Sequence, residues 1–116
     1  MAIDELTKLA EKGKEAGKEW VVAKEIADKL EEGAAPFLAS IKNELDRGGM
    51  SEAKLDRLAK GSAEYSQHIT GMCSARAAAN LAKVKMSYYD KLWESKRSQM
   101  SLLKVQVDRG IYEKGV

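Results

Sequence analysis

The sequence is poor in the residues that build disulfides, metal sites and sharp turns. It holds one cysteine, Cys73, one histidine, His68, and one proline, Pro36, among 116 residues. One cysteine cannot form an internal disulfide, and a zinc site needs three or four ligands, so we expect neither a disulfide nor a bound metal. A nucleophile–base pair of Cys73 and His68 would need a third, orienting group that the surrounding sequence does not suggest. We expect Cys73 to be a small buried apolar thiol.

Long apolar runs are also missing. No segment approaches the ~20 apolar residues of a membrane-spanning helix. The opening stretch MAIDELTKLAEKGKEAG carries acids and lysines where a secretory signal peptide has an apolar region. The sequence suggests neither a glycine-rich phosphate loop nor a desolvated carboxylate pair. We therefore expect a cytoplasmic protein without membrane contact, without a cofactor and without enzymatic activity.

The composition that remains favours helices. Apolar residues make up 44% of the chain and charged residues 33%, but aromatic residues only 6%, a balance typical of long amphipathic helices. Apolar steps of three and four residues predict helices over 3–32, 36–46, 51–60 and 62–109. Gly33 and Gly48–Gly49 mark breaks and Ser51 is a candidate N-cap, whereas Gly61 and Gly71 either end a helix or lie within one. The prediction is a single all-α domain over 1–109 and a frayed tail over 110–116.

Charge is distributed unevenly along the chain. Residues 1–32 hold six Lys against nine Asp and Glu, whereas residues 73–109 hold eight Lys and Arg against three acids. Because opposite charges attract, we predict that the first and last helices pack as a long helical hairpin, with short connecting helices near 34–60. Gly13 and Gly17 lie on the apolar side of the first helix. This spacing indicates either the close approach of another helix or a flexible first turn.

The last helix carries two apolar faces. At about 100° per residue, the first face holds Ala75, Ala79, Ala82, Met86, Tyr89, Trp93, Met100 and Val107. The second, nearly opposite face holds Ala77, Leu81, Val84, Tyr88, Leu92 and Leu102. One neighbouring helix covers only one face, and exposed apolar strips usually mark interfaces. We therefore predict a coiled-coil-like, homo-oligomeric helical bundle that binds protein partners, with an interface made of Leu81, Val84, Tyr88, Leu92 and Leu102.

The same helix has a second interpretation, which is direct binding of DNA or RNA. No acid lies between Gln67 and Tyr89, and aromatic side chains such as Trp93 are suited to stacking on bases. The basic residues are spread around the helix instead of forming one stripe, which favours oligomerisation. The candidate phosphate-binding residues are Arg76, Lys83, Lys85, Lys91, Lys96 and Arg97.

Residues 54–106 contain four features in order: L-A-K-G followed by A-E-Y, an alanine-rich middle, a Y-Y-x-x-L-W cluster and the end K-R-S-Q-M-S-L-L. In these features the chain resembles small helical proteins of tailed-phage and prophage genomes, often found among replication and recombination genes. The resemblance implies a phage or prophage origin and an accessory role with a phage or host protein as partner. A structural or morphogenetic phage component is a further alternative. No catalytic residue follows from the resemblance, and neither His68 nor Cys73 matches a functional residue.

Overall fold

The protein is described by a computed structural model that covers the backbone of residues 2–114 and the side chains of residues 4–107 and 109. Over these residues the chain forms four helices and no strand: α1 (Ala2–Glu32), α2 (Ala34–Leu45), α3 (Glu52–Lys60) and α4 (Ala63–Lys114). The predicted all-α fold is confirmed.

Helices α1 and α2 meet at Gly33. The acids Asp4 and Glu5 lie in the first turn of α1 and Lys29 lies in its last turn. Both placements are favourable, because the helix dipole is positive at the N-terminus and negative at the C-terminus. Helix α2 begins at Ala34, although the sequence predicts its start at Pro36. Proline is tolerated there because the first four N–H groups of a helix have no partner within the helix.

The break between α2 and α3 follows its predicted chemistry. Gly48 and Gly49 have φ values of 86° and 82°, which side-chain-bearing residues rarely adopt. The Gly48 amide donates to Asp46 Oδ1 over 3.0 Å, which closes the turn. Ser51 then caps α3, because its Oγ accepts a hydrogen bond from the Lys54 amide at 3.2 Å.

The two glycines whose role the sequence left open behave differently. Gly61 is the C-cap of α3, and the next residue, Ser62, accepts a hydrogen bond from the Tyr65 amide at the start of α4. Gly71 lies inside α4, which runs without a break to Lys114. The predicted helix over 62–109 therefore ends too early, because one glycine, here Gly110, weakens a helix without ending it. That the end of the chain frays stays a prediction. The rest of the predicted tail, residues 115–116, lies outside the described residues.

The chain divides into two compact units, of which the first contains residues 1–20 and 82–116. In this unit α1 and α4 run antiparallel, since Gly13 faces Tyr89 whereas Gly17 faces Met86. Ala16, on the same side of α1, is buried with 1% of its surface exposed. Small residues therefore line the contact between the two helices, as close helix approach requires.

The second unit contains residues 21–81 and includes both short helices. Helices α2 and α3 pack together, with Ile41, Leu55 and Ala59 as their buried side chains. Lys42 Nζ lies 3.0 Å from Glu52 Oε1 and 2.9 Å from Asp56 Oδ1, so one lysine of α2 holds two acids of α3.

The long helices are antiparallel in the second unit too. Arg76 of α4 contacts Asp28 of α1, and the earlier residue His68 contacts Leu30, which comes later in α1. Together with the same direction of pairing in the first unit, this confirms the helical hairpin. That the chain is one domain stays a prediction.

Candidate oligomer interface

The second apolar face of α4 is uncovered in the described chain. In the first unit Val84, Tyr88 and Leu102 are 65%, 59% and 61% exposed, and Leu92 is half-buried. Leu81, the last residue of the second unit, is 71% exposed. An isolated exposed leucine is ordinary on a protein surface, but several exposed large apolar side chains along one face of a helix are typical of an interface.

The first apolar face of α4, in contrast, packs against α1. A Cβ atom placed on Gly17 would lie 3.6 Å from Met86 Sδ, and one on Gly13 would lie 3.8 Å from Tyr89 Cβ. Trp93 lines an open groove of about 450 Å³ together with Leu9. In the second unit Ala79, on the same face, is 1% exposed. The first apolar face of α4 is therefore packed against α1, whereas the second is exposed.

The last described turns of α4 expose apolar side chains in several directions. Leu103, Val105 and Val107 are each at least half exposed. At 1.5 Å per residue, the antiparallel pairing of Gly13 with Asp90 places the beginning of α1 level with about residue 101 of α4. The described part of α1 therefore does not extend along this end of α4.

Two of the six predicted phosphate-binding residues are held by acids of α1. Arg76 Nη2 donates to Asp28 Oδ1 over 2.6 Å and also pairs with Glu31. Hydrogen bonds to Glu31 and Asp28 raise the pKa of Arg76, and the hydrogen bond from Arg76 lowers the pKa of Asp28. Lys85 Nζ lies 3.1 Å from Glu19 Oε2, and this hydrogen bond raises the pKa of Lys85. These cations neutralise acids within each unit.

The other four predicted phosphate-binding residues, Lys83, Lys91, Lys96 and Arg97, form no ion pair within the described residues. The guanidinium carbon of Arg97 lies 5.5 Å from the centre of the Trp93 ring, a cation–π distance. Lys83 and Lys91 are exposed and Lys96 is half-buried. Because these side chains leave α4 in different directions, they do not form one continuous basic stripe.

His68 and Cys73, the two residues weighed for chemistry, have different environments. His68 is half-buried, its ring is stacked on Phe37 at 4.8 Å, and its Nε2 donates to the Leu30 carbonyl at 3.0 Å. Because this carbonyl lies in the last turn of α1, His68 helps to satisfy the end of that helix. The prediction that Cys73 is buried is wrong, since the thiol is exposed.

The described residues offer neither a metal site nor a membrane-spanning helix. Over the described residues, no three His, Cys, Asp or Glu side chains are grouped so that they could hold a metal ion. No helix in that part of the chain joins the length and the apolar character that crossing a bilayer requires.

The structure also shows residues that the sequence analysis did not single out. Asp28, Glu31 and Glu19 are the partners of the cations of α4. The charge asymmetry between the two long helices predicts such pairs, but their identity depends on the register of the hairpin, which composition does not give. Glu94, an exposed acid beside the second apolar face, was also not predicted to have a role.

Comparison with known protein families, with curated proteins and with solved structures gave no match to this chain.

Proposed function

We propose that this protein is a non-enzymatic assembly factor whose α4 helix binds further copies of the same chain and, through the resulting bundle, protein partners. The observation that carries the proposal is the row of exposed large apolar side chains, Val84, Tyr88 and Leu102, on the face of α4 that points away from α1. Covering such side chains removes apolar surface from water, which is the main driving force for association.

The small size of the buried core supports the same proposal. The buried apolar side chains of the described chain are four alanines with Ile41 and Leu55, and no large side chain is fully buried. Hydrophobic stabilisation grows with the apolar area removed from water, so alanines contribute little of it. Association through α4 would add the buried area that the single chain lacks.

Sedimentation equilibrium at micromolar concentration tests the proposal. We expect the wild-type mass to exceed the 12.8 kDa of one chain and to fall towards that value on dilution. Val84→Asp should give a single chain throughout, because a carboxylate in an apolar contact is costly to desolvate. Lys83→Asp is the matched control: it places the same carboxylate on the neighbouring exposed residue, about 100° around the helix, and should associate like wild type. A wild-type mass of one chain at every concentration would overturn the proposal.

Direct binding of DNA or RNA is the second candidate function. It is supported by the exposed cations Lys83 and Lys91, which have no acidic partner in the described chain. Fluorescence polarisation with a labelled oligonucleotide tests it. The affinity should fall steeply with salt, and Lys83→Asp should weaken it and reduce the salt slope by about 1, whereas Val84→Asp should not. Absence of binding at low salt rejects this candidate, so the same two variants separate the two functions.

The resemblance to small phage proteins supports a phage or prophage origin for the assembly factor. We infer an accessory factor of phage or prophage origin, active in the cytoplasm beside a phage or host protein. A structural or morphogenetic phage component is the alternative in this setting. The genes that flank the coding sequence test both, because replication genes favour the accessory role and virion genes favour the structural one.

A further inference from the structure

Helix α4 carries an exposed seam with the spacing of a coiled coil. Positions 84, 88, 91, 95, 98 and 102 follow alternating steps of four and three residues, and all six are exposed and belong to the first unit. A repeat of 3.5 residues keeps one stripe facing a partner helix along its whole length. We call this stripe the outer seam; its residues are Val84, Tyr88, Lys91, Ser95, Ser98 and Leu102.

The outer seam is complementary to itself when a second copy runs in the opposite direction. The residues are placed symmetrically about Trp93, so Val84 of one copy lies level with Leu102 of the other. In the same register Tyr88 lies opposite Ser98, and Lys91 lies opposite Ser95. Val84 and Leu102 meet at the ends of the seam, and the long side chains of Tyr88 and Lys91 each face a serine, so large and small residues alternate across the contact.

Charge favours the same arrangement. Lys91 and Glu94 are both exposed and neither forms an ion pair in the described chain. In the antiparallel register, Lys91 of each copy comes within about one residue of the level of Glu94 of the other copy, ~1.5 Å along the axis. In a parallel, in-register dimer, Lys91 would instead face Lys91, which is unfavourable. On the other flank of the seam, Leu92 meets Leu92 of the second copy across the symmetry axis.

We propose that the outer seam is the contact face of an antiparallel dimer whose two-fold axis is level with residue 93, on the side of α4 opposite the Trp93 side chain. This inference rests on the proposed self-association and adds its copy number, direction and register. A two-fold arrangement also closes the contact, because the same patch is used by both copies.

Distances between spin labels test the direction and register. The exposed Cys73 is first replaced by serine, and a label is attached to Lys83→Cys or to Ser101→Cys, both at exposed positions of α4. In the proposed dimer, equivalent labels are offset along the helix axis by about 30 Å at residue 83 and about 24 Å at residue 101. A parallel, in-register dimer gives no axial offset at either position, and a register shift lengthens one offset and shortens the other; either result overturns this inference.

A charge exchange provides an independent test. Lys91→Glu and Glu94→Lys should each weaken the dimer, by up to about fivefold for each exposed pair lost, and the double variant should restore its affinity. Both residues are exposed and unpaired within the described chain, so the fold should tolerate either change. Failure of the double variant to recover would overturn the antiparallel pairing. If the chain associates but fails these tests, the proposed function survives; if it does not associate at all, both proposals fail.

Discussion

At the scale of single residues, Arg76 shows how the two long helices are joined in the second unit. Its guanidinium pairs with Asp28 and Glu31, and the hydrogen bond from Arg76 is the largest cause of the lowered pKa of Asp28. A carboxyl group whose pKa is lowered by folding stabilises the folded chain at pH values above its unfolded pKa. That stabilisation is lost as the pH falls through the lower, folded pKa.

We therefore predict that Arg76→Gln unfolds at a lower urea concentration than wild type near neutral pH. The difference should shrink as the pH falls below about 3.8, the ordinary pKa of an aspartate, because Asp28 is then protonated in the unfolded chain and, at lower pH still, in the folded chain too. Urea unfolding followed by circular dichroism over a series of pH values measures this. Lys83→Gln, which removes an exposed cation without an ion pair, should leave the midpoint unchanged. A difference that persists undiminished in acid would argue against the Asp28 pairing.

Glycine gives a second prediction at this scale. Gly71 lies within α4 and a Cβ placed on it meets nothing within 4 Å, whereas Gly48 lies in a turn with φ of 86°. Gly71→Ala should therefore stabilise the protein by about 0.8–1 kcal/mol, because alanine has the higher helix propensity. Gly48→Ala should destabilise it by roughly 1–2 kcal/mol, because a side chain is strained at positive φ. Urea midpoints that move in the same direction for both variants would contradict this account.

The environment of Cys73 could not be predicted from its residue type. Free cysteine is usually buried, but Cys73 lies about 20° from Val84 on the helical wheel, beside the second apolar face of α4, and it is exposed. The burial of a helical residue depends on which direction its neighbours occupy. That direction is set by packing in the folded chain and not by the preference of one residue.

At the scale of elements, helix boundaries were predictable where a specific side chain or backbone conformation sets them. Gly33, Gly48–Gly49 and Ser51 occupy the breaks and cap expected from their chemistry. The start of α2 and the end of α4 were misplaced, since proline is accepted anywhere in a first turn and one glycine does not end a helix. The pattern of apolar residues therefore predicted where the helices lie, but it did not predict the helix ends that have no capping residue or turn glycine.

The cap of α3 gives a prediction for an element. Ser51→Ala removes the hydrogen bond to the Lys54 amide and should cost about 1 kcal/mol of stability. Ser51→Asp should retain the stability, since aspartate is an equally good N-cap and its charge favours the helix dipole. Thermal unfolding of the three proteins is the measurement. Equal melting temperatures for Ser51→Ala and wild type would show that this cap contributes nothing to the folded chain.

At the scale of the whole molecule, the two opposed faces of α4 determine what the sequence could predict. The helical wheel alone shows that one neighbouring helix cannot cover both faces, and Val84 and Tyr88 are indeed left exposed. The wheel does not say which face α1 takes. That choice depends on the small residues Gly13, Ala16 and Gly17, which fit against the face that contains Met86 and Tyr89. The apolar character of the second face does not identify what covers it, so a second copy of the chain as the partner stays a proposal.

Self-association predicts that thermal stability depends on protein concentration. When folding is linked to assembly, raising the concentration favours the folded assembly by mass action, so the wild-type melting temperature should rise with concentration. Val84→Asp should melt at a temperature that is lower and independent of concentration, because its outer seam can no longer pack, while Lys83→Asp should behave like wild type. Scanning calorimetry over a wide range of concentrations separates these cases. If wild type and Val84→Asp melt alike at every concentration, the exposed face of α4 contributes nothing to stability, and the single chain is stable despite a core made largely of alanine.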